Sequence, residues 1–405
     1  MTIGIGGITQ QTALAKLHNM AEGISPIPLD EYNQRIKQAQ SLMKRYGLQA
    51  VYLNAGTNLS YFTGTFWYAS ERLVGAILSA DGSIEYIVPD FEVETIRGFI
   101  QIEGSIHSWQ EDENPYQLVA SILNRLGVRD GKVGIDESTP FFICDGLRQS
   151  APEIDFVAAK KVTAGCRMIK SAKEISLMQR AMEMTLEVHK AVASILTENI
   201  STQEVTQFIE KAHQKVGASG SSFCIVLFGQ DTSFPHGVKK PKALQANDMV
   251  LIDTGCLLHG YNSDITRTYV FGEANTRQRD IWAIEKAAQA SAFAKAQIGL
   301  ACGEVDIAAR ETIASHGLGP DYQVPGLPHR TGHGIGLDIH EWPYLVKNDI
   351  TPLAAGMCFS NEPMLVIPGE FGVRLEDHFH MTERGPRWFT EPSYSIDDPF
   401  GFDAK

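Results

Sequence analysis

Residues 249–271 read MVLIDTGCLLHGYNSDITRTYVF, two apolar runs either side of a polar, glycine-containing bend, and the way they pair decides the fold. The segments 249–253 and 265–271 have the β-branched and aromatic content of strands. Opposed residues of an antiparallel pair lie equally far from the turn. A turn centred between Leu258 and His259 therefore sets Asp253 across from Asp264 on one face of the sheet, with Cβ atoms roughly 4.5–5.5 Å apart. A second hairpin repeats the arrangement, because 364–367 and 373–376 flank Pro368-Gly369-Glu370. A turn centred at Gly369 sets Glu362 across from Glu376.

Two facing carboxylates about 4 Å apart repel by on the order of 4 kcal/mol at an effective dielectric of 20. One such pair alone is most simply solvated or bridged by Lys or Arg. Two pairs in one domain, each beside apolar strand residues, point instead to two divalent cations, whose charge four carboxylates balance. Residues 329–340, HRTGHGIGLDIH, add His329, His333 and His340 among glycines that permit close backbone approach. A single histidine is more often a satisfied core or surface group than a ligand; three in one glycine-rich loop fit that description poorly. His236 stands in a turn, Phe234-Pro235-His236-Gly237, after the apolar run 224–228.

Outward from these motifs, the chain divides near residue 165. Residues 30–46 have helical periodicity, and 51–53, 74–78, 84–88 and 133–135 read as strands, with Asp81-Gly82 as a hairpin signal. Residues 1–165 are thus expected to form a small α/β domain without a catalytic cluster. Capping boxes at Ser171…Glu174 and Ser201…Glu204 open helices through Ile195 and about Lys215. Further helices are predicted over 276–297 and 305–315, leaving residues 166–405 an α+β domain with helices segregated from paired strands. Gly4-Ile5-Gly6-Gly7 follows no strand and precedes no clear helix start, so it is not read as a dinucleotide loop.

A chain of 405 residues with 43% hydrophobic and 20% charged residues has ample core for two domains and is too apolar to be disordered. Its net charge of −13 and lack of a basic run argue against a nucleic-acid partner. No run of about 18 apolar residues suggests a membrane span, and no basic, apolar and small-residue succession at the start suggests a secretory signal. Cys144, Cys166, Cys224, Cys256, Cys302 and Cys358 are scattered, unlike thiolate zinc sites, and read as reduced thiols of a cytoplasmic protein.

These motifs resemble the metal-dependent Xaa-Pro peptidases of the pita-bread fold, the family of prolidase and aminopeptidase P. The likeness is carried by Leu251-Ile252-Asp253-Thr254-Gly255, Ser263-Asp264-Ile265-Thr266-Arg267-Thr268, His333-Gly334-Ile335-Gly336-Leu337-Asp338-Ile339-His340-Glu341, Asn361-Glu362-Pro363 and Val373-Arg374-Leu375-Glu376-Asp377. More weakly, Asn58-Leu59-Ser60-Tyr61-Phe62-Thr63-Gly64 looks like the N-terminal-domain signature of that family, whose creatinase-like N-domain precedes the catalytic domain. The resemblance implies a pita-bread domain over 166–405 in which Asp253 chelates one metal, Asp264 and Glu376 bridge two, and His333 and Glu362 bind the other. It implies Glu362 as proton carrier, His340 and His236 as contacts of the carbonyl or tetrahedral intermediate, and Arg374 as support for the ligands and substrate. His329 is a candidate to line the proline pocket or else to stabilise its loop, and Tyr261 and Thr266 either orient Asp264 or Glu376 or serve only as strand residues. Apart from the resemblance, Tyr394 lies in a Pro-containing tail whose plainest role is to cover an apolar surface patch, with reach to the active-site mouth as the alternative. Four oxygen donors with one imidazole suit Mn²⁺ and tolerate Co²⁺ or Zn²⁺. Hydrolysis of the bond before proline in dipeptides is the expected activity, with aminopeptidase action on longer Xaa-Pro peptides, or chemistry on a small non-peptide molecule, as alternatives. A homodimer is expected on the same ground.

Overall fold

The computed structural model describes residues 1–404 and contains two compact units, one of residues 27–167 and one joining residues 1–26 to the chain from 168 onward.

The first unit is built on a six-stranded mixed sheet of β1 (Leu48–Asn54), β2 (Gly75–Ser79), β3 (Ile84–Pro89), β4 (Ser105–Trp109), β5 (Gly131–Ile135) and β6 (Ile154–Ala158). Their spatial order is β4-β3-β2-β1-β5-β6. The Asp81-Gly82 turn joins β2 and β3 antiparallel, as its sequence implies, whereas β1, β5 and β6 run parallel. Parallel strands need crossover connections, and the helices Pro115–Arg125 and Phe141–Ser150 supply apolar faces over Val133, Ile135 and Phe156.

The second unit carries β7 (Phe223–Phe228), β8 (Met249–Gly255), β9 (Leu257–Leu258), β10 (Tyr261–Asn262) and β11 (Ile265–Val270) in its first half. It continues with β12 (Gly332–Gly334), β13 (Glu341–Leu345), β14 (Cys358–Asn361), β15 (Met364–Ile367), β16 (Phe371–Arg374), β17 (Asp377–Thr382) and β18 (Gly385–Trp388). The strands form an antiparallel β11-β8-β7 sheet, a β13-β12-β14-β17-β18 sheet and the β15-β16 ribbon. Capping boxes at Ser171/Glu174, Ser201/Glu204 and Asn275/Gln278 fix the starts of the helices Ala172–Ile195, Thr202–Lys215 and Thr276–Lys295. The last of these, with Cys302–Ser315, buries Ile281, Trp282, Ala288, Val305 and Ile313 against Leu251, Phe359, Leu365 and Phe379.

The expected first domain included residues 1–26, but they pack with the second unit. Backbone hydrogen bonds hold them there: Thr2 to Gly272 (2.9 Å), Ile3 to Asp397 (2.7 Å), Gly6 to Ala193 (2.8 Å) and Met20 to Val216 (2.8 Å). Gly4, at φ +79°, lies where a Cβ would strike the Phe402 ring. A helix absent from the sequence reading, Gln10–Lys16, starts at Thr9, whose side chain caps it.

The first carboxylate hairpin has a different register from the one expected. Thr266 lies across from Asp253, and Tyr261 pairs with Leu258, so the turn centres on His259-Gly260. Both turn residues have positive φ, 49° and 87°, as a two-residue hairpin requires. A turn displaced by one residue moves the pairing by two, which keeps every side chain on its face. Asp253 and Asp264 are thus diagonal rather than opposite, yet still face the same way. In the second hairpin, Met364 pairs with Arg374 and Asn361 with Asp377, which leaves Glu362 and Glu376 facing one another between the two ladders.

Candidate metal centre

The strand β8 and the segments flanking β11, β14–β15 and β16–β17 deliver the acidic cluster. Asp253 comes from β8, Asp264 from the residue before β11, Glu362 from between β14 and β15, and Glu376 from between β16 and β17. A backbone bridge between Thr266 and Glu376 ties the two hairpins together, with the Glu376 N–H donating to the Thr266 carbonyl at 3.1 Å. Asp253, Asp264 and Glu376 are 6%, 4% and 1% exposed, and Glu362 is partly buried.

β12 brings His333 to the same place. Its Nδ1 lies 3.0 Å from the Gly334 carbonyl, which turns Nε2 toward Glu362 Oε1 at 3.0 Å and Asp264 Oδ2 at 3.8 Å. Ser360 braces this contact, accepting from the His333 N–H at 2.8 Å and donating to Glu362 Oε1 at 3.1 Å. On the other side, Arg374 donates to Asp253 Oδ2, to Thr266 Oγ1 at 3.1 Å and to the Pro235 carbonyl at 3.2 Å. That last bond anchors the loop bearing His236. Thr266 in turn donates to Glu376 Oε2 at 2.6 Å.

Burial raises the Asp264 carboxyl well above its ordinary range, and the charges of Glu376 and Asp253 add to the shift. Glu376 is raised likewise by burial and then Glu362, while burial raises Asp253 against the pull of Arg374. Glu362 is the exception: burial opposes ionisation, but the hydrogen bond and charge of His333 hold it below the usual carboxylate range. Arg374, although desolvated, is kept protonated by Asp253 and Glu376. Protein cations therefore stabilise only part of this cluster. One oxygen each of Asp253, Asp264 and Glu376 is buried without any hydrogen-bond partner. Unsatisfied buried acceptors are rare in native proteins, and hard carboxylate donors grouped with an imidazole are the ligands divalent cations take. The residues present fit two such ions.

Of the other expected site residues, His340 meets the His333 ring edge-on, with centroids 4.1 Å apart, and burial together with His333 lowers its pKa to about 4. The pKa of His329 is lowered by burial. Tyr394 is 63% exposed, and among the described residues it makes no hydrogen bond or ring contact with the cluster. The Tyr261 hydroxyl donates to Glu174 at 2.8 Å.

Sequence reasoning passed over His378, fully buried beside the cluster, where Asp264, His333, Glu376 and His378 each offer a ligand atom within 4.8 Å of the others. Strand alternation was the available signal, since 374, 376 and 378 share a side. Asp377, pointing the other way, is held by Arg267 at 2.7 Å and Gln289 at 3.0 Å in a fully buried ion pair that fixes the strand.

A model of metallopeptidase family M24 matches residues 176–383, and one of the creatinase/prolidase N-terminal domain matches residues 35–169. The Xaa-Pro dipeptidase of Pyrococcus horikoshii is 32% identical over 90% of this chain and 98% of its own. Among solved structures, a dipeptidase PepE from Mycobacterium ulcerans superposes with a TM-score of 0.84 at 31% identity, covering 91% of this chain and 97% of that one. The prolidase from Pyrococcus furiosus gives 0.74 at 29% identity, covering 87% and 99%.

Proposed function

The chain belongs to metallopeptidase family M24, with a creatinase-type N-terminal domain before a pita-bread catalytic domain, and on that premise we propose how its centre works. It is a metal-dependent Xaa-Pro dipeptidase that hydrolyses the peptide bond before proline in dipeptides. The observation that carries this reading is the convergence of Asp253, Asp264, Glu362, Glu376 and His333, with three carboxylate oxygens buried and unpartnered. Asp253, Asp264 and Glu376 with Glu362 and His333 would hold two divalent cations, and the predominance of oxygen donors supports Mn²⁺.

Bound cations supply an acidified water and polarise the scissile carbonyl. The protein's own groups do the remainder. Glu362, kept ionised by His333, takes a proton from the attacking water and returns it to the proline nitrogen as the C–N bond breaks. His340, held neutral at ordinary pH, and His236 contact the carbonyl oxygen and the charge that develops on it. Arg374 fixes Asp253 and Thr266, and His329 lines the space where the proline ring sits.

A panel of Xaa-Pro dipeptides and longer Xaa-Pro peptides, assayed with added Mn²⁺ on wild type and Glu362→Gln, tests the reading. Wild type is expected to turn over the dipeptides and the variant to lose at least about 100-fold in kcat. Turnover of no proline substrate by the wild type refutes the assignment. Six free, scattered cysteines support a reducing, cytoplasmic setting, and a homodimer follows from the family resemblance. Fractionation and sedimentation check these two points.

A further inference from the structure

His378 is fully buried, and neither of its ring nitrogens has a hydrogen-bond partner. A neutral imidazole carries one N–H donor and one bare lone pair, and leaving such a group dry costs about 1–3 kcal/mol. Its surroundings are rich in metal donors. A ring nitrogen of His378, one of His333 and oxygens of Asp264 and Glu376 all lie within 4.8 Å of one another. The backbone places the ring there, since Glu376, bridged to Thr266, immediately precedes β17 and His378 is the second residue of that strand, two residues on and so on the same side. Its cross-strand partner is Ser360, the residue that braces both Glu362 and the His333 backbone.

We propose that His378 is a second imidazole donor to the cation held by Asp264, His333 and Glu376, an inference that rests on those three being ligands. The two positions of the centre then differ. The one between His333 and His378 faces two nitrogens, while the one at Asp253 is lined by carboxylate oxygens. Imidazole suits Co²⁺ and Zn²⁺, and carboxylate suits Mn²⁺, so the chain is fitted to discriminate between cations at two adjacent positions.

Proton NMR of Co²⁺-loaded protein in H₂O tests this directly, because each coordinated imidazole gives a far-shifted, exchangeable ring N–H resonance. Two such resonances are expected in the wild type and one in His378→Val. By calorimetry, one of the two Co²⁺ binding steps is expected to weaken tenfold or more in the variant. His378→Gln, which keeps a polar side chain of similar length, gives the same single resonance, and the wild-type spectrum depends on no variant's folding. A single resonance in wild-type protein that binds two Co²⁺ overturns the role of His378 and leaves the carboxylate centre standing. Wild-type protein that binds no Co²⁺ removes both.

Discussion

Replacing Asp264 by Asn separates what the centre costs the fold from what it does for metal binding. In metal-free protein Asp264 is 4% exposed, has an oxygen with no partner, and is raised well above its ordinary pKa by burial, Glu376 and Asp253. An acid whose folded pKa lies above its unfolded one destabilises the fold once pH exceeds the unfolded value, because ionisation is then easier in the unfolded chain. The isosteric amide carries no charge and escapes this. One carboxylate repulsion at 4 Å is about 4 kcal/mol at a dielectric of 20. If the nearby Arg374 offsets about half, the gain is on the order of 2 kcal/mol, or roughly 4–8 °C in melting temperature. With saturating cation the order reverses, since at 100 times Kd each bound ion adds about 2.7 kcal/mol that the amide weakens. Thermal unfolding at pH 8, with chelator and then with Mn²⁺ or Co²⁺, reads both halves. An Asp264→Asn variant that melts below wild type in chelator refutes the reasoning.

Lys170→Met removes the cation beside buried Glu341 and is expected to cost about 3 kcal/mol in urea unfolding; a loss below about 1 kcal/mol contradicts this. His213, buried against Thr185 and Ser221, has its pKa lowered to about 4, so the stability it confers is intact above pH 6.5 and drains away as pH falls toward 4. His213→Gln should therefore flatten the acid limb of stability against pH, and parallel curves for the two proteins argue otherwise. Tyr394→Ala should leave kcat and KM for Xaa-Pro dipeptides unchanged, given the exposure of that ring; a several-fold rise in KM would return it to the substrate pocket.

The acidic cluster was legible because ligand carboxylates sit on hairpins, where alternation and turn position fix the face of each residue. For the second hairpin the Pro-Gly turn located the centre and the register followed. For the first, the left-handed turn residue is His259 rather than the more usual Asn or Gly, and the inferred centre fell one residue short. The face survived, because the error moved the pairing by an even number. His378 escaped notice because a ligand type next to a recognised motif has no spacing of its own to mark it. The short strands SIHSW and IDFVA of the first unit were missed because their polar residues blur the alternation. The place of residues 1–26 depends on backbone bonds to partners hundreds of residues away, which no local pattern encodes.

That last feature shapes the order of assembly. The second unit owns residues 1–26 together with the chain from 168 onward, while everything from 27 to 167 is made in between. At roughly 5–20 residues per second the interval is on the order of ten seconds. During it the leading segment has none of its eventual neighbours, such as Gly272 and Asp397, to dock against. The intervening α/β unit, whose strands are all contiguous in the chain, is free to complete its sheet meanwhile, and the peptidase unit must close around a segment made well before its partners.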